Sequence, residues 1–143
     1  MQSYTQFKEI PRKLIVSKRL SQCLIPALPS GVHQRALDVY SHILSVLGVR
    51  ILVISLSRNI DYLCQPDGLK RDLPLWSSGL FPFFEYAATS VKPALLEIFE
   101  KYYLPLQDEL RPVMRAFILS LLPGLEEETG EYFEKVTINI DIA

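Results

Sequence analysis

The chain has 143 residues, 49% of them apolar, with two cysteines and a formal charge of −1. That length fits one domain with a real core, and the apolar content excludes a disordered tail. A near-neutral balance argues against a nucleic-acid partner, because domains that grip nucleic acid are usually strongly basic.

The charge is divided unevenly along the chain. Residues 1–58 hold eight Lys/Arg against two acids, and the remaining 85 hold seven against fourteen. Such asymmetry points to an acidic partner or anionic membrane near the N-terminal part, or to two halves that complement each other in a larger assembly. Cys23 and Cys64 lack metal-type neighbours and read as plain cytosolic thiols. The first ten residues have no apolar h-region, and Asp38, His42, Gly48 and Arg50 interrupt the most membrane-like stretch, 36–57. The chain is therefore expected to be soluble or peripheral.

The first predicted element is a helix over Pro11–Leu24, with Pro11 in its first turn. Leu14, Ile15, Leu20, Cys23 and Leu24 are expected on its apolar face, and Arg12, Lys13, Lys18 and Arg19 largely off it. Pro26 and Pro29 stop it. A second helix spans Ser30–Gly48, with Ser30 as its cap and Gly48 as a left-handed stop. Together they predict an antiparallel αα-hairpin, the unit of helical solenoids. Residues 49–66 break the pattern: VRILVISLS has strand-like composition and no nearby partner strand, so this insert has no assigned structure.

Helical patterning resumes at Asp67, and Pro74 and Pro82 are expected to bend or divide the apolar stretch up to Ala88. Ser90 is the expected cap of a helix running to about Leu106, with Pro93 in its first turn and Pro105 at its end or at a new start. A last strong helix is read over Asp108–Leu122, stopped by Pro123 and Gly124, and residues 126–136 could begin one more. The fold class is thus all-α, an irregular ARM/HEAT-like stack of about five or six helices. The absence of polar capping helices reads as incompleteness at both ends, a piece of something longer.

Chemistry is sparse. Two histidines, His33 and His42, lie on different faces; Asp38 is placed to bond His42, and no nucleophile elbow accompanies them. No GxGxxG or P-loop occurs, so no cofactor is implied. The acids Glu126, Glu127, Glu128 and Glu131 read as a solvated helix start rather than a metal site. An enzyme is not expected. The basic set Arg12, Lys13, Lys18 and Arg19 either meets anionic lipid head groups or forms an ordinary exposed helix face. The aromatic set from Trp76 to Phe117 reads chiefly as core, the alternative being a helical pocket for an apolar or lipid ligand.

Several strings carry a resemblance. LSQCL (20–24), PALPSGVH (26–33), RALDVY (35–40), SSGLFP (77–82) and LLPGLEE (121–127) occur in this order in the N-terminal region of the Dopey family, which this chain resembles over about residues 8–48 and 66–136. The resemblance implies a non-catalytic scaffold or adaptor segment in Golgi–endosome vesicular transport. It implies a cytoplasmic protein, peripheral on Golgi, trans-Golgi network and endosome membranes. The implied partners are a Mon2-type protein, a phospholipid flippase and, in some members, phosphoinositides and kinesin. It assigns no catalytic residue. By the same resemblance the chain is one partial domain over 1–143, lacking a leading helical portion and most of the long downstream part.

Two segments depart from the family pattern, the insert 49–65 and the tail 137–143. The departures follow or begin at valines (Val49, Val136), whose codons start with GT, and both segments contain Asn-Ile-Asp. They read as retained intron sequence; transcripts carrying both as mature coding sequence would exclude this.

Overall fold

The structure, a computed structural model, describes residues 10–56 and 67–126. The elements are α1 (Lys13–Gln22), α2 (Ser30–Leu56), α3 (Asp67–Leu80), the single turn α4 (Phe83–Tyr86), α5 (Lys92–Ile98) and α6 (Met114–Glu126). Between α5 and α6 the backbone passes through a π-helical turn, Phe99–Tyr103, and a 3-10 segment, Leu104–Leu110. The fold is all-α, an irregular helical stack. The further helix read over 126–136 (beyond Glu126, the last residue of α6), Cys64, the insert beyond Leu56 and the tail lie outside the described residues.

Several boundaries differ from the sequence pattern, each for a backbone reason. Pro11 sits in the turn before α1, and the cap is Arg12, held left-handed at φ 53°. A non-glycine residue there costs about 1–2 kcal/mol. Its carbonyl accepts the N–H groups of Ile15 and Val16 at 2.9 and 3.0 Å. Ser30 is the first residue of α2 rather than its cap, because the Pro29 carbonyl takes the N–H groups of Val32 and His33. Ser90 does not cap α5 either: the Ala88 carbonyl receives the N–H groups of Val91 and Lys92.

Gly48 does not end α2. Among the described residues no glycine has positive φ, so the left-handed stop never forms and the helix runs on to Leu56. The β-branched run at 49–56 follows an established helix, and propagation is far easier than nucleation. Gly124 likewise stays right-handed, and α6 continues through Pro123 to Glu126. Pro123 forfeits one ladder bond, to the Leu119 carbonyl.

The other prolines divide the work. Pro74 is accommodated inside α3, whereas Pro82 separates α3 from α4. Pro105 neither ends nor restarts the helical path, which reaches it through a wider turn. The Leu104 N–H bonds the Phe99 carbonyl five residues back, and a 3-10 segment comes next. A proline lacks an N–H and crowds the carbonyl four residues earlier, so loosening the preceding turn relieves both. The last helix starts at Met114 rather than Asp108, after a turn over 111–113 that contains Pro112.

The core lies where α2, α3, α5 and α6 converge. Tyr40, Leu44, Trp76, Leu80, Phe84, Leu95 and Leu121 are buried in it. Phe81, Phe99, Tyr103 and Phe117 meet ring to ring, with centroids 5.2 to 6.0 Å apart. Such contacts add about 0.5–1.5 kcal/mol per pair beyond area burial. Tyr103 also donates its hydroxyl proton to Ser77 Oγ at 2.9 Å, while Ser77 donates to the Leu73 carbonyl. That chain of bonds joins the π-helical turn to α3.

Candidate functional site

The α1 helix holds the candidate basic residues, and its orientation is set by how it seats. Its principal neighbour is α3, two elements on, rather than its hairpin partner α2. Three contacts rise together along the two helices, so they run parallel. Lys13 Nζ lies 2.8 Å from both Asp72 oxygens; Ser17 Oγ donates to the Leu75 carbonyl at 2.9 Å; Ser21 faces Gly79. A Cβ at Gly79 would stand 2.7 Å from Ser21 Cβ and 3.1 Å from Ser21 Cα. The approach is therefore that of two backbones, possible only because both sides are small.

This seat decides which residues face outward. Val16, Leu20, Cys23 and Leu24 turn inward with Ser17. Leu14 and Ile15, expected on the buried face, are instead 68% and 57% exposed. Arg12, Lys18 and Arg19 are exposed beside them, and α1 holds no acid. The structure therefore divides the basic set. Arg12, Lys18 and Arg19 stay on the surface, where Arg19 donates to Gln22 Oε1 at 3.3 Å. Lys13 is drawn into the α3 contact, where Asp72 also meets Arg71 Nε at 3.3 Å.

The histidines have separate fates. His33 is buried, and its Nε2 donates to the Ile25 carbonyl at 2.8 Å, tying α2 to the Pro-bounded joint. Its ring meets Phe83 edge-on at 4.9 Å, and among the described residues Nδ1 has no hydrogen-bond partner. His42 is exposed and not bonded to Asp38, which faces Gln34 Nε2 at 3.4 Å and Arg35 at 3.7 Å. Buried Tyr40 Oη and Trp76 Nε1 also lack a hydrogen-bond partner among the described residues. Burial above all pushes the Tyr40 and Tyr103 hydroxyls above the usual phenol range, so both stay neutral. Among the described residues no three His, Cys, Asp or Glu gather where a metal could bind, and no helix is long and apolar enough to cross a membrane. The acid run beyond Glu126 lies outside the described residues.

Ser17, Ser21, Gly79 and Asp72 set the orientation of α1, yet apolar periodicity does not single them out. Their signal is faint: two serines four residues apart, and a glycine that reads as a helix boundary.

Comparison with known proteins gives a match to the family described as "Dopey, N-terminal" over residues 1–142. The chain belongs to the Dopey family. It is 47% identical to "Protein DOP1B" of Mus musculus over 132 residues, covering 92% of this chain and 5% of that protein. It is 42% identical to "Protein DOP1 homolog" of Drosophila melanogaster over 135 residues, 94% of this chain and 4% of that protein. With "Protein DOP1" of Saccharomyces cerevisiae it shares 35% over 124 residues, 86% of this chain and 6% of that protein. The Dopey chain here thus spans about 5% of the length of the curated relatives it matches. No solved structure matches it.

Proposed function

We propose that this Dopey segment is a non-catalytic scaffold or adaptor module in Golgi–endosome vesicular transport, held peripherally on the cytoplasmic face of Golgi, trans-Golgi network and endosome membranes. Its helical surfaces serve protein partners of the Mon2 type and a phospholipid flippase, and the outward face of α1 serves the membrane. Family membership supports the trafficking part of this reading. The observation that carries the membrane part is the α1 face itself. Two large aliphatic side chains, Leu14 and Ile15, stand exposed among Arg12, Lys18 and Arg19, with no acid on the helix.

That combination has a direct physical use. Each cation near an anionic leaflet contributes about 1 kcal/mol, so the three together supply about 3 kcal/mol, or roughly two powers of ten in affinity. Leu14 and Ile15 lie at the same surface and can enter the boundary between head groups and acyl chains. Lys13 adds little, because leaving Asp72 would strand a half-buried carboxylate. A ligand pocket finds no such support: the rings that would line it at Phe81, Phe99, Tyr103 and Phe117 pack against one another.

Vesicle flotation of the purified chain tests this reading. Vesicles containing phosphatidylserine or a phosphoinositide should carry the protein up, neutral vesicles should not, and raised salt should release it. Lys18→Glu with Arg19→Glu should abolish flotation while Lys13→Ala leaves most of it. Equal flotation with neutral vesicles, or an unaffected double variant, would remove the membrane role.

A further inference from the structure

Ser21 stands seven residues after Leu14 and three after Lys18, so it falls beside them on α1, at the rim between the outward face and the α3 seat. Its Cβ faces Gly79, but its hydroxyl donates back along its own helix to the Lys18 carbonyl at 2.8 Å, in an exposed bond. Tyr40 Oη and Ser21 Cβ both lie 2.7 Å from the point where a Gly79 Cβ would stand, and the two hydroxyls still make no hydrogen bond. The Ser21 hydroxyl is therefore turned toward solvent at the edge of the basic face.

The residues before it are cationic at two particular places. Lys18 stands three residues before Ser21 and Arg19 two, and both are exposed. Among the described residues no other serine or threonine has Lys or Arg two or three residues before it. Ser17 follows Arg12 and Lys13 at longer range and is buried, its hydroxyl bonded to the Leu75 carbonyl. A basic pair at those two places is what a protein kinase with an acidic substrate groove selects, by charge complementarity. Such a groove takes an extended strand, so Lys18–Gln22 must unwind. That segment is the last turn of α1, where helices open most readily, and no α-helix resumes before Ser30.

We propose that Ser21 is a phosphorylation site for a protein kinase of the kind that selects basic substrates, and that its phosphate releases the α1 face from anionic membranes. The kinase transfers the γ-phosphoryl group of ATP. The bond from that phosphorus to the ADP oxygen breaks, the bond to Ser21 Oγ forms, and the hydroxyl proton passes to the kinase's base. The product carries a charge of about −2 beside Arg12, Lys18 and Arg19, and so offsets about two of the three cations. It stays at the rim, because the backbones of α1 and α3 leave no room for it between Ser21 and Gly79. The release step rests on the membrane reading of α1, whereas the acceptor site does not.

The test treats the purified chain with ATP and the catalytic domain of a kinase that selects basic residues two and three before its serine. Mass spectrometry maps the phosphate, and vesicles containing phosphatidylserine then report binding. Phosphate should appear at Ser21 and be lost in Ser21→Ala. Lys18→Ala with Arg19→Ala should slow its incorporation by about tenfold or more. The phosphorylated chain should bind the vesicles at least about tenfold more weakly, and kinase treatment should leave Ser21→Ala binding as before. Should a thermal melt show that the phosphate unseats α1, Gln22→Glu replaces it. That variant sets a carboxylate beside Arg19 on the exposed face and should weaken vesicle binding by about fivefold. No phosphate at Ser21, or equal incorporation without Lys18 and Arg19, overturns the acceptor site. Unchanged binding after phosphorylation, or in Gln22→Glu, overturns the release. A parent chain that binds no vesicles overturns the membrane reading and the release together, while incorporation alone decides the acceptor site.

Discussion

Replacing Gly79 by alanine sets two effects of opposite sign against each other. In an exposed helix interior, glycine to alanine stabilises by about 1 kcal/mol, through lost freedom in the unfolded chain. At Gly79 the added Cβ would lie 2.7 Å from Ser21 Cβ, 2.7 Å from Tyr40 Oη and 3.1 Å from Ser21 Cα. The tyrosine oxygen can swing aside, but the Ser21 backbone cannot move without α1. A shift of roughly 1 Å is needed to restore ordinary carbon–carbon contact. That shift would stretch the Lys13–Asp72 pair and the Ser17 bond to the Leu75 carbonyl. Overpacking of this kind costs about 1–3 kcal/mol, and the contacts loosened with it make the penalty larger than the propensity gain. The expected net is a destabilisation of about 1–2 kcal/mol, read as a lower urea midpoint at unchanged slope. Thermal melting should fall by several degrees, at about 3–5 °C per kcal/mol for a chain of this size. Ser21→Gly in the same chain should recover part of the loss. A Gly79→Ala protein as stable as the parent, or more stable, would refute the close α1–α3 approach.

Three further outcomes rest on buried and half-buried polar groups. Asp72→Ala should destabilise by about 1–2 kcal/mol in urea melts, since it strands the half-buried Lys13 ammonium, whereas Glu97→Ala on the exposed surface should change little. Tyr40→Phe should be neutral or slightly stabilising, because its buried hydroxyl has no partner, while Tyr103→Phe should lose about 1 kcal/mol with the Ser77 bond; equal losses would contradict that difference. Because burial raises both phenols, the folded state holds their protons more tightly than the unfolded state does. Their contribution to stability is present below the ordinary tyrosine range and is lost as pH rises above it. Ultraviolet titration of the seven tyrosines should therefore show two that ionise only with alkaline unfolding.

Part of this architecture is readable in the sequence and part is hidden. Heptad-like spacing from Val32 to Leu47 identifies α2, and the apolar run from Leu110 to Leu121 locates most of α6. Helix ends are less legible, because glycine and proline punctuate a chain only where packing lets them. Gly48 and Gly124 stay right-handed, and the prolines at 74, 105 and 123 are absorbed by surrounding packing or a widened turn. The candidate site is legible in composition and not in orientation. Arg12, Lys18 and Arg19 stand out as a basic set, but hydrophobicity alone would place Leu14 and Ile15 inward. Periodicity counts apolar residues and has no term for Ser17 and Ser21 packing under Gly79, or for Asp72 drawing Lys13 down. Those polar and small contacts rotate α1 so that Leu14 and Ile15 lie outside while Val16 and Leu20 turn inward.

The proposed membrane role of the exposed α1 surface is tested most directly by an environment-sensitive dye at its centre. With Cys23 and Cys64 replaced by serine, the dye is attached through Ile15→Cys, and a control protein carries it through Leu119→Cys on α6, which is also exposed. On vesicles containing anionic lipid, emission at position 15 should shift to the blue and brighten, with no change at position 119 and none on neutral vesicles. No change at position 15, or the same change at both positions, would contradict the account.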